Sequence, residues 1–100
     1  MRLWVEPAVV DELADVPGNI RQRLRRAIRD LPSNPRPPHS RALDLPDDLR
    51  LPGLEARRLR IEHWRIVYVI DQEWDLMTIL AVRRRPPYSY DDLRELLGPS

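Results

Sequence analysis

Only two residues, Glu62 and His63, separate the runs "LEARRLRI" and "WRIVYVI", both rich in alternating or β-branched side chains. A two-residue connection holds two antiparallel strands in one register and so fixes which side chains share a face. With strands at 54–61 and 64–70, Ile61 stands opposite Trp64, Arg60 opposite Arg65, Leu59 opposite Ile66 and Arg58 opposite Val67. Side chains alternate along a strand, and cross-strand partners share a face. Leu59, Ile61, Trp64, Ile66 and Tyr68 therefore make one apolar face, and Arg58, Arg60 and Arg65 make the other with Val67. The apolar face needs a cover; the arginine face is expected to stay open.

The cover is encoded upstream. Residues 2–6, "RLWVE", read as a short first strand. Pro7 then suits the first turn of a helix, with Val9, Val10, Leu13 and Val16 on one face. Pro17-Gly18-Asn19 breaks the chain. A second helix runs to about Leu31, with Ile20, Leu24, Ala27, Ile28 and Leu31 at helical spacing and arginines on its other faces. Residues 32–53 are too rich in proline for a helix or a central strand. They are also long for a loop, so they form a packed lid or a mobile segment.

After the hairpin, a turn at 71–74 leads into another strand. Pairing Ile70 with Asp75 puts Thr78, Leu80, Val82 and Arg84 on the arginine face, and a one-residue slip reverses that assignment. Ser89 is a candidate cap for a short helix at about 89–97, with Asp91 and Asp92 in its first turn and Gly98-Pro99 as its stop. Trp4 and Trp64 are expected in the core and Trp74 exposed at a turn. The predicted fold is α+β: a small, antiparallel-rich, twisted sheet of about four strands against two N-terminal helices, in the order β-α-α-β-β-β. One hundred residues suit a single domain spanning 1–100.

Composition narrows the chemistry. There is no cysteine, so no disulfide framework, thiolate metal site or cysteine nucleophile. Two distant histidines, His39 in the proline-rich segment and His63 at the hairpin turn, make no metal-ligand pattern. His39 is expected simply to be exposed, and no metal or cofactor is expected. The longest apolar runs fall short of the ~20 residues of a membrane helix. The N-terminus lacks the order of a signal peptide, so a soluble, cytoplasmic protein with no membrane partner is expected. Net charge is only +1, but all 17 basic residues are arginine. Each is a planar fork suited to phosphate or carboxylate, and none is a lysine of tunable pKa.

"RLRIEHWRIVYVID" and "LAVRRRPPYSYDDL" resemble the central hairpin and the closing strand with C-terminal segment of the RelE/ParE toxin superfamily. The whole order of elements resembles it as well. The arginine after the last strand and the tyrosine six residues later resemble the RNA-cleaving, RelE-like branch. That resemblance implies a toxin of a type II toxin–antitoxin system: a ribosome-dependent mRNA endonuclease (mRNA interferase) that blocks translation. It implies metal-independent cleavage, in which the ribose 2'-hydroxyl attacks the adjacent phosphate.

By position, Arg65 is similar to the family's phosphate-binding strand arginine. Arg84 is similar to its arginine at the leaving group, and Tyr90 to its substrate-orienting tyrosine. Arg58 and Ala56 fall where catalytic lysines stand in the best-known members. The resemblance thus implies Arg58, Arg65, Arg84 and Tyr90 as catalytic and Arg60, Arg83 and Arg85 as RNA-binding, with Tyr88 packing the terminal helix onto the sheet. With no lysine at 56 or 58, Tyr90 and His63 are candidate proton acceptors. Catalysis that is mainly electrostatic is the remaining reading. The implied partners are a cognate antitoxin, the ribosome and mRNA, with operator DNA contacted only through the antitoxin. Arg65→Ala and Tyr90→Phe are each expected to relieve toxicity with the fold intact. The alternative is a ParE-like toxin that cuts no RNA and inhibits DNA gyrase by binding.

Overall fold

A computed structural model describes residues 1–84. The expectations for Arg85, Tyr88, Tyr90 and the helix at 89–97 lie outside the described residues. Strands β1 (Arg2–Val5), β2 (Ser40–Ala42), β3 (Leu54–Ile61), β4 (Trp64–Asp71) and β5 (Leu76–Arg84) form one sheet in the order β1-β5-β4-β3-β2. Helices α1 (Pro7–Ala14) and α2 (Gly18–Asp30) lie between β1 and β2 in sequence. β1 runs parallel to β5, and the other pairs are antiparallel. The parallel pair requires a long crossover, which the helices and the hairpin supply.

The architecture is α+β, with five strands where the sequence suggests about four. The added strand, β2, lies inside the proline-rich segment. Pro35, Pro37 and Pro38 carry the chain to the outer edge of β3, and three proline-free residues then pair there, Ser40 with Leu59 and Arg41 with Arg58. An edge is where a proline-rich segment can join a sheet.

The hairpin has the register its two-residue turn dictates, Arg60 opposite Arg65 and Leu59 opposite Ile66. Glu62 takes a left-handed backbone (φ 55°) to close it. Leu59, Ile66, Tyr68, Ile70, Met77 and Ile79 meet Val9 and Leu13 of α1 and Leu24 and Ile28 of α2 in the main core. The Tyr68 hydroxyl donates to the Pro35 carbonyl at 2.7 Å, which satisfies a buried phenol and anchors the start of the proline-rich segment.

Two expected core residues are outside it. Val10 is 59% exposed, because it stands ~100° round the helix from Val9. Trp4 pairs with Thr78 on the face away from the helices, on an edge strand, and is 54% exposed. Trp64 packs partly buried against the core, and Trp74 is 67% exposed at the last turn.

The register of β5 departs from expectation in a way that matters for the site. Asp71 pairs with Leu76, two residues off the expected pairing, so Thr78 keeps its face. A bulge between Val67 and Tyr68 then changes the register: Tyr68 faces Ile79, but Val67 faces Ala81. The extra residue, Leu80, reverses the alternation beyond it. Val82 turns into the helix-side core, Arg83 becomes the cross-strand partner of Arg65, and Arg84 pairs with Trp64 on the helix side. The expected placement of Val82 and Arg84 on the arginine face is therefore corrected.

β1 ends opposite Ile79, so the far half of β5 has a free edge. Glu12 of α1 covers it. One carboxylate oxygen accepts the Val82 N–H at 3.0 Å, and the other holds Arg83 Nε at 2.9 Å. Glu12→Ala leaves that backbone donor without its acceptor. It is expected to cost about 1–3 kcal/mol, read as a lower urea midpoint with unchanged slope.

Candidate nucleic-acid interface

The sheet face away from the helices divides into two halves. On one half, Ala56, Val67, Val69, Leu80 and Ala81 form a small second core, covered by Leu43 and Leu45 with Leu54 of β3 packed beside them. The proline-rich segment thus acts in part as a packed lid, and this half of the face is closed. Ala56, in the place of a family lysine by the resemblance, is 5% exposed beneath it.

The other half, toward the hairpin end, is arginine. Register sets Arg60, Arg65 and Arg83 in one row across β3, β4 and β5, and Arg41 beside Arg58 in the next. A cavity of about 320 Å³ opens here, walled by Pro38, His39, Ser40 and Arg41 on one side and Arg58, Arg60 and Arg65 on the other. A broader depression of about 730 Å³ continues round the edge of β3 past Arg23, Glu62 and His63, sharing His39 and Arg60 with the first.

Like charges directly opposite one another destabilise a sheet. Glu12 relieves Arg83 at the end of the row, and the other ion-paired carboxylates hold arginines outside the cavity. Glu55 binds Arg36 and Arg57 at 2.6 Å each, on the opposite face of β3 by register. Glu62 binds Arg23, Glu12 binds Arg83, and Asp44 and Asp47 bind Arg50. Among the described residues no carboxylate pairs with Arg41, Arg58 or Arg60. Three guanidinium groups with no carboxylate partner among the described residues thus line one concavity, and a guanidinium fork has the donor geometry that suits phosphate or carboxylate oxygens.

Arg65 differs from the open residue expected of it. It is 3% exposed, and its guanidinium donates to the Trp64 carbonyl at 3.1 Å and the Glu62 carbonyl at 3.4 Å. It forms the cavity's inner wall and fastens the hairpin turn. Arg65→Ala removes a packed, hydrogen-bonded side chain and is therefore expected to lower stability along with any effect on toxicity. Arg83 bends round the sheet edge to Glu12, and Arg84 lies on the opposite face by register. Of the seven site residues named from the sequence, the structure gathers Arg58, Arg60 and Arg65. It sets Arg83 and Arg84 apart from the cavity; Arg85 and Tyr90 lie outside the described residues.

Sequence reasoning missed Arg41 and His39, both delivered by β2. The available signal was the proline-free stretch after Pro38, in which His39 and Arg41 alternate about Ser40.

The ion-pair cluster at Glu55 has a pH consequence. The hydrogen bond from Arg36, followed by that from Arg57, holds the Glu55 carboxyl below its ordinary value against the opposing effect of burial. A carboxylate depressed in the folded state contributes stability above its unfolded pKa and loses it as pH falls through the folded one. Stability is expected to decline in acid below the ordinary glutamate range of about 4.3. Glu55→Gln should flatten that part of the curve, measured by thermal melts from neutral to acid pH.

Residues 5–86 match the family model of the ParE toxin of the type II toxin–antitoxin system parDE. The chain belongs to this toxin family. As a RelE/ParE-type toxin it shares its fold with several solved structures. The RelE–RelB complex of the archaeon Pyrococcus horikoshii OT3 matches with a TM-score of 0.72 at 20% identity, covering 87% of this chain and 97% of that one. The RelBE2 toxin–antitoxin complex of Mycobacterium tuberculosis matches with a TM-score of 0.63 at 22% identity, covering 84% and 96%. The isolated E. coli RelE toxin matches with a TM-score of 0.59 at 16% identity, covering 92% of each chain. No curated protein sequence matches the toxin significantly. Among its described residues, no helix is long and apolar enough to cross a membrane.

Proposed function

We propose that this toxin is a ribosome-dependent mRNA endonuclease of the RelE-like kind, acting in the cytoplasm and held inactive by a cognate antitoxin. One observation carries the reading: Arg41, Arg58 and Arg60 converge on a cavity with no carboxylate of the described chain paired to them. Like charges are gathered at a cost to stability when something else is to neutralise them. An RNA phosphodiester supplies that charge.

In the proposed reaction the ribose 2'-oxygen attacks the adjacent phosphorus. The P–O2' bond forms and the P–O5' bond breaks, leaving a 2',3'-cyclic phosphate and a 5'-hydroxyl. Negative charge grows on the non-bridging oxygens of the phosphorane, where fixed guanidinium donors are most effective. Arg58 and Arg60 hold those oxygens, Arg41 holds a neighbouring phosphate, and Arg65 keeps the hairpin wall in place. Arginine remains protonated and takes no proton in the reaction. The antitoxin inhibits by laying an acidic segment over the same arginines, and operator DNA is reached through the antitoxin.

A second reading has its own support. The matching family model is that of ParE, and alanine and arginine stand at positions 56 and 58. In that reading the arginine cavity is a contact for DNA gyrase and performs no chemistry. Induction in cells separates the two. Arrested incorporation of labelled amino acids with intact, normally supercoiled plasmid DNA supports the nuclease. Filamentation with an induced DNA-damage response and continuing translation supports gyrase binding and overturns the nuclease.

A further inference from the structure

We propose that His39 is the proton acceptor of the cleavage reaction, taking the proton of the attacking 2'-hydroxyl within the arginine cavity. The inference rests on the nuclease reading and deepens it. The reaction needs a group that can receive a proton, and none of the arginines around the cavity can. His39 is the only other ionisable side chain among the described residues that line it. An imidazole nitrogen has a lone pair that can take up a proton, as a general base requires and a guanidinium cannot provide.

The fold places it deliberately. The Arg60 amide donates to the His39 carbonyl at 3.2 Å, extending the β2–β3 ladder by one residue and setting His39 beside Arg60. Pro37 and Pro38 precede it, each with its own φ fixed by the ring, so the approach to the strand is stiff. Ser40 is tied to the Pro37 carbonyl through its hydroxyl at 2.7 Å and its amide at 2.9 Å. The side chain is exposed, as a group that must meet substrate requires. A phosphate held by Arg58 and Arg60 stands within the same concavity. On attack, the 2'-proton passes to the neutral imidazole, the P–O5' bond breaks, and the departing 5'-oxygen takes a proton from water. The imidazolium then returns its proton to solvent.

Charged and titratable groups face His39 from every side: Arg41 on β2, Arg58 and Arg60 on β3, Arg65 on β4, Arg23 on α2, and Glu62 with His63 at the turn. The test must therefore separate His39 from His63. Single-turnover cleavage of a defined mRNA in stalled ribosomes is measured from pH 5 to 8 for wild type, His39→Gln, His39→Ala and His63→Gln.

The expected result for His39→Gln is a loss of about 100-fold or more, with the rising limb of the pH profile abolished and the urea midpoint unchanged. Added imidazole is expected to restore part of the rate to His39→Ala, while His63→Gln keeps the limb. If wild type cuts and His39→Gln cuts as fast with the same limb, His39 is not the acceptor. The same conclusion follows if the limb is lost in His63→Gln instead, or if His39→Ala is slow but neither rescued nor altered in pH dependence. Absence of any cut by wild type overturns the nuclease reading, and the proposal with it.

Discussion

Arg58→Ala is expected to lower the rate of message cleavage by on the order of 100- to 1,000-fold without lowering stability. Arg58 is half-buried in the wall of the cavity, pairs with Arg41 across the strands, and has no carboxylate partner among the described residues. Removing it takes away a donor to the phosphorane and a like-charge contact together, so the urea midpoint should stay level or rise. That opposite movement of activity and stability distinguishes a binding group from a structural one. A fall in stability parallel to the fall in rate would make Arg58 a structural residue and leave the cavity without its main donor. Arg65 gives a poorer probe, because its burial and its bonds to the Glu62 and Trp64 carbonyls couple both quantities.

The second large effect is in the core. Ile66→Ala is expected to destabilise the fold by about 2–5 kcal/mol, a substantial part of the roughly 5–15 kcal/mol holding a small domain together. Ile66 is fully buried in the central strand β4, between Leu59 on β3 and Val82 on β5, under the helices. Deleting its branch opens space where three strands and two helices meet. Equilibrium urea unfolding measures this directly; a shift below about 1 kcal/mol would mean that the site collapses around the smaller side chain.

The parts of the fold legible in the sequence are those set by local rules. Glu62 and His63 impose the register of β3 on β4, so the split between Leu59, Ile66 and Tyr68 on one face and Arg58, Arg60 and Arg65 on the other follows from spacing alone. Pro7 and the Leu24–Ile28–Leu31 spacing locate the helices equally well. What was not legible depends on partners distant in sequence. The bulge opposite Val67 and Tyr68 leaves no mark in the alternation of 76–84, yet it exchanges the faces of Arg83 and Arg84. β2 has no hydrophobic period of its own and exists because β3 offers an edge. Arg41 and His39 therefore entered the site unannounced, and with them a candidate for the proton acceptor that positions 56 and 58 lack. The burial of Arg65 was hidden for a related reason, since alternation gives the face of a side chain and not its depth.

The most direct test of the central claim is primer extension on a defined mRNA in stalled ribosomes, with and without the toxin. A RelE-like nuclease is expected to leave a cut within the codon exposed in the ribosomal A site, dependent on the ribosome and lost in Arg58→Ala. Intact message, from protein that is toxic in cells and inhibits gyrase supercoiling, would contradict it and make the arginine cavity a binding surface alone.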